Sequence, residues 1–144
     1  MSDPRVDAAL ADAAMRNLAG RYCEAVLSGD PGDFEACWAE DAEWVVPGGA
    51  VIAGREKIMR TFARAREPFE LCVQELTAGV VEVVGEGSDV RARARWQIRE
   101  DQWRTDGAQT YVLGVYSDEA APGPDGVWRF TRRQFDVVRR GQFE

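Results

Sequence analysis

The sequence predicts an α+β domain, in which a long N-terminal helix and two shorter helices accompany a mostly antiparallel sheet. Two observations carry this prediction. The N-terminal segment repeats apolar residues at every fourth position, which keeps them on one face of a helix. The second half of the chain is rich in Val, Tyr, Phe and Trp, and one stretch alternates between arginine and apolar residues, as strands do. Helices first and consecutive strands after are the order of an α+β fold.

The first helix is predicted over residues 7–28. Its apolar residues recur at intervals of four: Leu10, Ala14, Leu18, Tyr22 and Val26. The helix ends at Gly29-Asp30-Pro31, because the residue before a proline is disfavoured in the helical conformation. A short second helix is predicted at residues 32–39. It would bury Phe34, Cys37 and Trp38.

The rest of the chain predicts a hairpin, a third helix and four strands. Pro47-Gly48-Gly49 has the composition of a tight turn, so residues 44–46 and 50–52 are predicted to pair around it. The third helix is predicted at residues 55–65 and ends before Pro68. The strands are predicted at residues 69–84, 90–100, 109–117 and 126–138. A strongly curved sheet wrapped around a helix leaves a concave mouth, where small molecules usually bind.

Length and composition predict a single domain over residues 1–144. The net charge of −7 argues against nucleic acid and anionic membranes as partners, because binding to phosphate groups needs a basic surface. No apolar run approaches the roughly 20 residues of a membrane helix, and no signal peptide is visible at the N-terminus. A cytoplasmic location is the expectation that follows.

No metal and no organic cofactor are expected. The chain contains no histidine, and Cys23, Cys37 and Cys72 have none of the spacings of a metal site. Their odd number favours free thiols in a reducing compartment. No Gly-rich phosphate loop and no Ser-His-Asp pattern is present. A magnesium site made of carboxylates alone stays open, although no acidic motif indicates one.

Three segments, RYCEAVLSGDPGDFEACWAEDAEW, PGGAVIAGREKI and DGVWRFTRR, occur within this order of elements. With them, the chain resembles the SnoaL-like families of the nuclear-transport-factor and ketosteroid-isomerase cone fold, roughly from Ala14 to Val138. The resemblance implies a cone-shaped, mixed but mostly antiparallel sheet around the long helix. It is nearest to the dehydrochlorinase and scytalone dehydratase branch. The fold also hosts isomerases, polyketide cyclases and plain binding proteins, so it implies no single reaction.

The resemblance also implies a site. In that branch, an Asp at the end of the first helix orients a His that abstracts a proton. The spacing from Tyr22 to Asp30 matches this pattern, but the strand position expected to hold the His is Gln74 here, and glutamine cannot act as a general base. An arginine of the last strand, matching Arg133, is implied to lie in the pocket. Arg132 is the alternative if the register differs by one residue.

Asp30 therefore has two interpretations. An Asp before Pro-Gly is a common turn residue, and its side chain can cap the following helix. The resemblance instead implies a place at the cavity mouth. There Asp30 would be the base itself, with a pKa raised by apolar surroundings, or an ionised partner of Arg133. Asp136 on the last strand is the next carboxylate in line for the role of base.

The expected function is that of a cofactor-free lyase, isomerase or cyclase acting on a small, apolar, cyclic organic molecule, such as a secondary metabolite or xenobiotic. Asp30 is the expected base, and Gln74 and Arg133 are expected to stabilise developing negative charge. The residues expected to bind the substrate are Tyr22, Val26, Trp44, Cys72 and Tyr111. Tyr111 and Tyr116 belong to opposite strand faces, so at most one of them faces the cavity.

The alternative function is a non-catalytic binding or structural module of the same fold, which the missing His favours. Under both interpretations the partner is a small-molecule ligand. Proteins of this fold often pair through the outer face of the sheet, so a homodimer is expected.

Overall fold

A computed structural model describes residues 2–143, so the two terminal residues of the predicted 1–144 domain lie outside the described residues. The α-helices of this part are α1 (Pro4–Ser28), α2 (Pro31–Glu35) and α3 (Arg55–Arg66). Its strands are β1 (Trp38–Val45), β2 (Val51–Ala53), β3 (Phe69–Val84), β4 (Arg91–Arg104), β5 (Gln109–Pro122) and β6 (Trp128–Phe143). A turn of 3-10 helix at Gly87–Asp89 joins β3 to β4.

The strands form one sheet in the order β2-β1-β6-β5-β4-β3. β1 and β6 run parallel, and the other neighbouring pairs are antiparallel. Bulges interrupt the register in β3, between Leu76 and Ala78, and in the pairing of β5 with β6. Because bulges bend and twist a strand, the long strands can curve around α1, which contacts β3, β4 and β6. The predicted α+β cone fold, with a mixed and mostly antiparallel sheet around the long helix, is confirmed.

The face of the sheet that packs against α1 carries most of the core, and we call it the inner face. Side chains of a strand alternate between two faces, so every second residue of β4 belongs to this face. Five of these are buried: the apolar Ala92, Ala94, Trp96 and Ile98, and the polar Gln102. The arginines between them, Arg91, Arg93 and Arg95, are exposed on the opposite, outer face. From α1, the core receives Met15, Leu18, Tyr22 and Val26.

Aromatic side chains fix α2 and α3 to the sheet. Phe34 of α2 stacks on Phe62 of α3, with ring centroids 3.6 Å apart. The ring centroid of Trp38 of β1 lies 5.8 Å from that of Phe34 and 6.1 Å from that of Tyr22 of α1. Aromatic pairs of this kind add about 0.5–1.5 kcal/mol beyond the area that they bury. These contacts hold the end of α1 and both short helices in one place relative to β1.

Several element boundaries differ from the prediction. β1 begins at Trp38 instead of residue 44, and β6 continues to Phe143 instead of ending at residue 138. The second helix ends at Glu35, because Trp38 begins a strand and pairs with Phe130. β4 continues to Arg104 and β5 to Pro122, through segments predicted as polar connectors. Backbone pairing with the neighbouring strands extends through these polar residues, so tertiary context overrides their composition.

Among the helices of residues 2–143, none combines the length and the apolar character of a membrane-spanning segment.

Candidate functional site

One end of the inner face is only partly covered. Trp96 and Ile98 of β4 are each 3% exposed. Two positions further along the strand, Glu100 remains half-buried. The same is true of inner-face residues on the neighbouring strands: Gln74, Thr110, Phe135 and Val137. These partly exposed residues lie beside the buried Cys72, Gln102 and Val112, so the inner face is less completely covered here than along the rest of β4. We call this region, comprising Glu100 and these four residues, the open end.

Glu100 is held at the open end by two amide side chains. The Nε2 group of Gln102 donates to Glu100 Oε2 at 2.9 Å, and Nε2 of Gln74 donates to Glu100 Oε1 at 3.4 Å. The Gln74 amide also donates to the hydroxyl oxygen of Tyr116 at 2.9 Å. The hydroxyl of Thr110 donates to Gln102 Oε1 at 2.8 Å. The carboxylate is therefore part of a connected network that fixes its orientation.

The surroundings of Glu100 make its carboxylate more basic. Burial raises the pKa of the Glu100 carboxyl above its ordinary value, while the hydrogen bonds from Gln102 and Gln74 and the charges of Arg66 and Arg140 oppose this rise. A general base works best when its pKa lies near the working pH, and burial is the usual means of raising a carboxyl pKa towards that range. Glu100 thus combines access from solvent with raised basicity.

Four of the predicted site residues lie at or beside the open end. Gln74 and Cys72 share the inner face of β3, as the period of two predicts. Cys72 is buried, and burial raises the pKa of its thiol to about 11, so the thiol stays protonated near neutral pH. Tyr22 is 2% exposed, and its ring centroid lies 5.8 Å from that of Tyr116. Val26, 3% exposed, belongs to the same helix face.

Arg133 forms a buried ion pair with Asp118. Its Nε donates to Asp118 Oδ1 at 2.9 Å and its Nη2 donates to Oδ2 at 3.2 Å. Both side chains have 0% exposure. The indole N–H of Trp96 donates to Asp118 Oδ2 at 2.8 Å. The expected place of Arg133 in the pocket is thus corrected: the side chain is enclosed in the core and paired with a buried carboxylate, although its Nη1 group makes no hydrogen bond within residues 2–143.

Three aromatic rings surround the guanidinium of Arg133. Its central carbon lies 3.5 Å, 4.1 Å and 4.3 Å from the ring centroids of Tyr116, Tyr22 and Phe130, which are cation–π distances. Burial acts to lower the pKa of Arg133, but the charges of Asp118 and the tyrosines raise it overall. Burial also raises the pKa of the Asp118 carboxyl, and Arg133 opposes that rise. Three N–H donors at the carboxylate support the ionised form, so we treat the pair as charged.

Asp30 lies on the surface as the N-cap of α2. Its Oδ1 accepts hydrogen bonds from the backbone N–H groups of Gly32 at 2.7 Å and Asp33 at 3.2 Å. Its side chain is exposed, and within residues 2–143 it makes no hydrogen bond to the network around Glu100. The helix-cap interpretation is confirmed. The role of Asp30 as a base at the cavity mouth stays a prediction, while the amides at the start of α2 hold its carboxylate at the surface.

Replacing Asp30 by alanine is expected to lower the free energy of unfolding by about 1 kcal/mol, because two backbone N–H groups lose their acceptor. Asp30→Asn keeps an acceptor and is expected to cost less. Urea denaturation measures both changes. Both variants are expected to keep the activity described below. An Asp30→Asn protein of unchanged stability that has lost this activity would return the role of base to Asp30.

Trp44 and Tyr111 lie outside the open end. Trp44 belongs to the aromatic cluster of β1, with its ring centroid 5.9 Å from Trp38. Tyr111 lies on the outer face, where the guanidinium carbon of Arg99 is 5.3 Å from its ring centroid. The expected contact of Tyr111 with substrate is corrected, because strand alternation places Tyr116 on the inner face instead.

The two remaining alternatives from the last strand also face away from the site. Arg132 is half-buried and forms an ion pair with Glu43 at 3.4 Å. Asp136 is exposed, and its carboxylate accepts a hydrogen bond from Gln134 at 3.1 Å. Neither side chain belongs to the network around Glu100.

Sequence reasoning missed two acidic residues, Glu100 and Asp118. Both continue an inner-face alternation: Glu100 follows Ile98 by two positions, and Asp118 follows Tyr116 by two. A carboxylate at a position that the strand period assigns to the core is uncommon unless it is paired or functional. For Glu100 the signal lay within the predicted strand 90–100, whereas for Asp118 it was concealed because the predicted strand ended at residue 117.

Across residues 2–143, no group of three or more His, Cys, Asp or Glu side chains is arranged to hold a metal ion. The expectation that the protein works without metal or organic cofactor stays a prediction. Elemental analysis of protein purified without added metal tests the first part of it.

Residues 7–134 match the family model described as SnoaL-like domain. The type 2 hexachlorocyclohexane dehydrochlorinase LinA superposes with a TM-score of 0.81 at 17% identity, over 97% of this chain and 93% of that one. A candidate scytalone dehydratase from Novosphingobium aromaticivorans superposes with a TM-score of 0.84 at 19% identity, over 96% of this chain and 92% of that one. A nuclear transport factor 2-like superfamily protein from Salmonella enterica superposes with a TM-score of 0.78 at 18% identity, over 91% of this chain and 93% of that one.

The family model confirms the predicted SnoaL-like family, and the similar structures include a dehydrochlorinase and a candidate scytalone dehydratase, as the predicted branch implies. At such identities, the superpositions show a shared fold and leave the reaction of this chain to be argued from its own residues. No curated protein matches the sequence.

Proposed function

The chain belongs to the SnoaL-like family, and from this premise we propose that it is a cofactor-free lyase or isomerase acting on a small, largely apolar organic molecule at the open end. Secondary metabolites and xenobiotics are suitable substrate classes, and ring closure by the same chemistry would make it a cyclase. In this proposal Glu100, instead of Asp30, takes a proton from a C–H group next to an electron-withdrawing group. Two of the similar structures are named as a dehydrochlorinase and a candidate dehydratase, which supports elimination chemistry.

The observation that carries the proposal is Glu100, an acidic residue on the inner face of the sheet. The residue is only half-buried, and burial raises the pKa of its carboxyl. Each of its oxygens accepts one amide N–H, and an ionised carboxylate has about four lone-pair sites. Lone pairs therefore remain for an incoming proton, while the two amides keep the group from rotating.

The proton transfer follows directly from this arrangement. As the C–H bond breaks, Glu100 binds the proton and the electron pair moves towards the electron-withdrawing group of the substrate. In an elimination, this pair forms a double bond and expels the leaving group from the adjacent carbon. In an isomerisation, Glu100 returns the proton to a different carbon. Gln74 and Gln102 orient Glu100, and the half-buried apolar side chains of Phe135 and Val137 are available to contact the body of the substrate.

Ring opening of nitrobenzisoxazole tests the proposed base. This apolar bicyclic probe loses one C–H proton to a base and releases a coloured phenolate, without metal or cofactor. The protein is expected to accelerate the reaction with saturation kinetics, well beyond an equal concentration of acetate. A rate no higher than that with acetate would contradict the proposal.

A binding module without catalysis is the second candidate. The observation that favours it is the absence of histidine from the chain, with Gln74 at the strand position for which the resemblance implies one. Under this alternative, the network around Glu100 orients a ligand but moves no proton. Saturable binding of the probe without acceleration of its ring opening would distinguish the module from the enzyme.

We also propose that two copies pair through the outer face of the sheet. A groove of about 880 Å³ crosses this face, and its lining includes Val80 and Val138, which are 72% and 70% exposed. Arg93 and Glu119 in the same groove supply charges of both signs. An apolar patch among mixed charges fits a self-complementary interface.

Light scattering is expected to give about twice the chain mass of 16.0 kDa. The double variant Val80→Lys/Val138→Lys is expected to be monomeric, because two buried like charges would oppose pairing. Val51→Lys, at a 46% exposed position of β2 outside this groove, is the matched control. A monomeric wild-type protein would contradict the interface.

For location and other partners, we propose the cytoplasm and no nucleic acid. The three cysteines are free, which suits a reducing compartment. The net charge of −7 disfavours binding to phosphate backbones.

A further inference from the structure

A row of inner-face residues crosses the open end from β3 to β6. Gln74 is paired with Glu100, Glu100 with Val112, and Val112 with Arg140. Neighbouring strands lie about 4.8 Å apart, so Arg140 stands two strand spacings from Glu100. The row therefore runs from an amide and a carboxylate, through an apolar residue, to a cation. We call it the Gln74–Arg140 row.

Arg140 has no acidic partner among residues 2–143, whereas several other arginines of the sheet, though not Arg91, Arg95 or Arg139, are paired. Arg99 lies 3.1 Å from Asp101, and Arg132 lies 3.4 Å from Glu43. Arg140 is exposed, and its guanidinium makes neither an ion pair nor a hydrogen bond within this part of the chain. Its charge does act on Glu100, where it opposes the rise of the carboxyl pKa.

Arg66 of α3 supplies a second cation near Glu100. One of its N–H groups donates to the backbone carbonyl of Val26, and its guanidinium carbon lies 5.6 Å from the ring centroid of Phe62. These contacts hold the side chain in place without neutralising its charge. Like Arg140, Arg66 opposes the rise of the Glu100 pKa. In a chain with a net charge of −7, two unneutralised arginines beside one site create a local field that attracts anions.

We propose that the molecule bound at the open end is an apolar organic anion. Its carboxylate, or an equivalent anionic group, is bound by Arg140 at the rim, with Arg66 adding favourable charge. Its apolar body lies against the half-buried Phe135 and Val137, and its reacting C–H group meets Glu100. This assignment rests on the proposed function and deepens it, because the row fixes which end of the substrate carries the charge.

A pair of probes of equal shape tests the assignment. Cyclohexanecarboxylate and cyclohexanecarboxamide differ in charge but hardly in size. Their dissociation constants can be measured from the NMR shifts of the Gln74 and Gln102 side-chain amides. The wild-type protein is expected to bind the carboxylate at least about fivefold more tightly, because charge-assisted hydrogen bonds are roughly twice as strong as neutral ones.

The preference for the carboxylate is expected to vanish in Arg140→Gln and to persist in Arg139→Gln. Arg139 is an adjacent, equally exposed arginine that pairs with Leu113 on the outer face, so it is a matched control. In Glu100→Gln the preference is expected to persist or grow, because a negative charge next to the anion is removed.

Three results would overturn the assignment. The first is a carboxamide that binds at least as tightly as the carboxylate. The second is an equal loss of preference in the Arg139 and Arg140 variants. The third is the absence of shifts at Gln74 and Gln102 with either probe up to its solubility. The ring-opening rate of nitrobenzisoxazole is measured separately, so failure of the anion site is distinguishable from failure of Glu100 as a base.

Discussion

Replacing Arg133 by methionine is expected to lower the free energy of unfolding by about 3–5 kcal/mol, because it leaves the buried carboxylate of Asp118 without its cation. Both side chains have 0% exposure, so water cannot take the place of the missing partner. The contacts of the guanidinium with the rings of Tyr22, Tyr116 and Phe130 are lost as well. Guanidinium chloride denaturation followed by circular dichroism measures the change.

The double variant Arg133→Met/Asp118→Asn provides the control. It removes both charges and keeps a side-chain oxygen that can accept the indole N–H of Trp96, so it is expected to recover a large part of the lost stability. A double variant no more stable than Arg133→Met would show that packing around the guanidinium, and not the uncompensated charge, accounts for the loss. A loss below about 1 kcal/mol in the single variant, which is the range of exposed pairs, would contradict the buried ion pair.

Glu100→Gln is expected to reduce the ring-opening rate of nitrobenzisoxazole by about 10² or more while the fold is retained, because glutamine cannot accept the proton. The substitution keeps the size of the side chain and its hydrogen-bonding oxygen. Binding of the probe should therefore change much less than turnover, so the loss is expected in kcat and not in KM. The matched control is Glu75→Gln. Glu75 lies on β3 next to Gln74, the residue that pairs with Glu100, and it is exposed on the opposite strand face. Equal losses in both variants would remove Glu100 from the mechanism.

The same substitution should change how stability depends on pH. Because burial raises the pKa of Glu100 in the folded state, the folded protein binds this proton more tightly than the unfolded chain. Stability from this group is therefore fully present below the ordinary glutamate pKa, falls as pH rises towards the raised value, and is level above it. In Glu100→Gln this fall should be absent. In the wild-type protein, kcat/KM should rise with pH through the same raised pKa, since the base must be ionised.

Local periodicity was sufficient for most of the fold. The intervals of four in α1 and the strand composition of β3 gave elements whose limits agree closely with the structure. The alternation of strand side chains, with a period of two, also placed Gln74 and Cys72 together on the inner face. The predicted strands ended at residues 100 and 117, because the polar residues that follow favoured loops, although backbone pairing continues there. Element type is local information, whereas the end of a strand depends on its partner.

The site was harder to predict from the sequence, because each candidate residue can serve either a structural or a chemical role. Asp30 caps a helix by the same hydrogen-bonding capacity that would serve a base. Arg133 was placed on the correct strand, but only its pairing with Asp118, fifteen positions away in the chain, makes it a buried residue. The roles of both were decided by the distances between elements, which no local pattern contains.

The parallel pairing of β1 with β6 has a consequence for folding. Trp38 pairs with Phe130, so β1, the first strand of the chain, pairs with β6, the last strand of the chain. During synthesis, β1 and β2 can form only a two-stranded ribbon until β6 has left the ribosome, and such a ribbon is marginally stable in water. Contacts of such long sequence separation slow folding because the loop must close before they form. We therefore expect the aromatic cluster around Trp38 to be among the last parts of the chain to become protected from solvent.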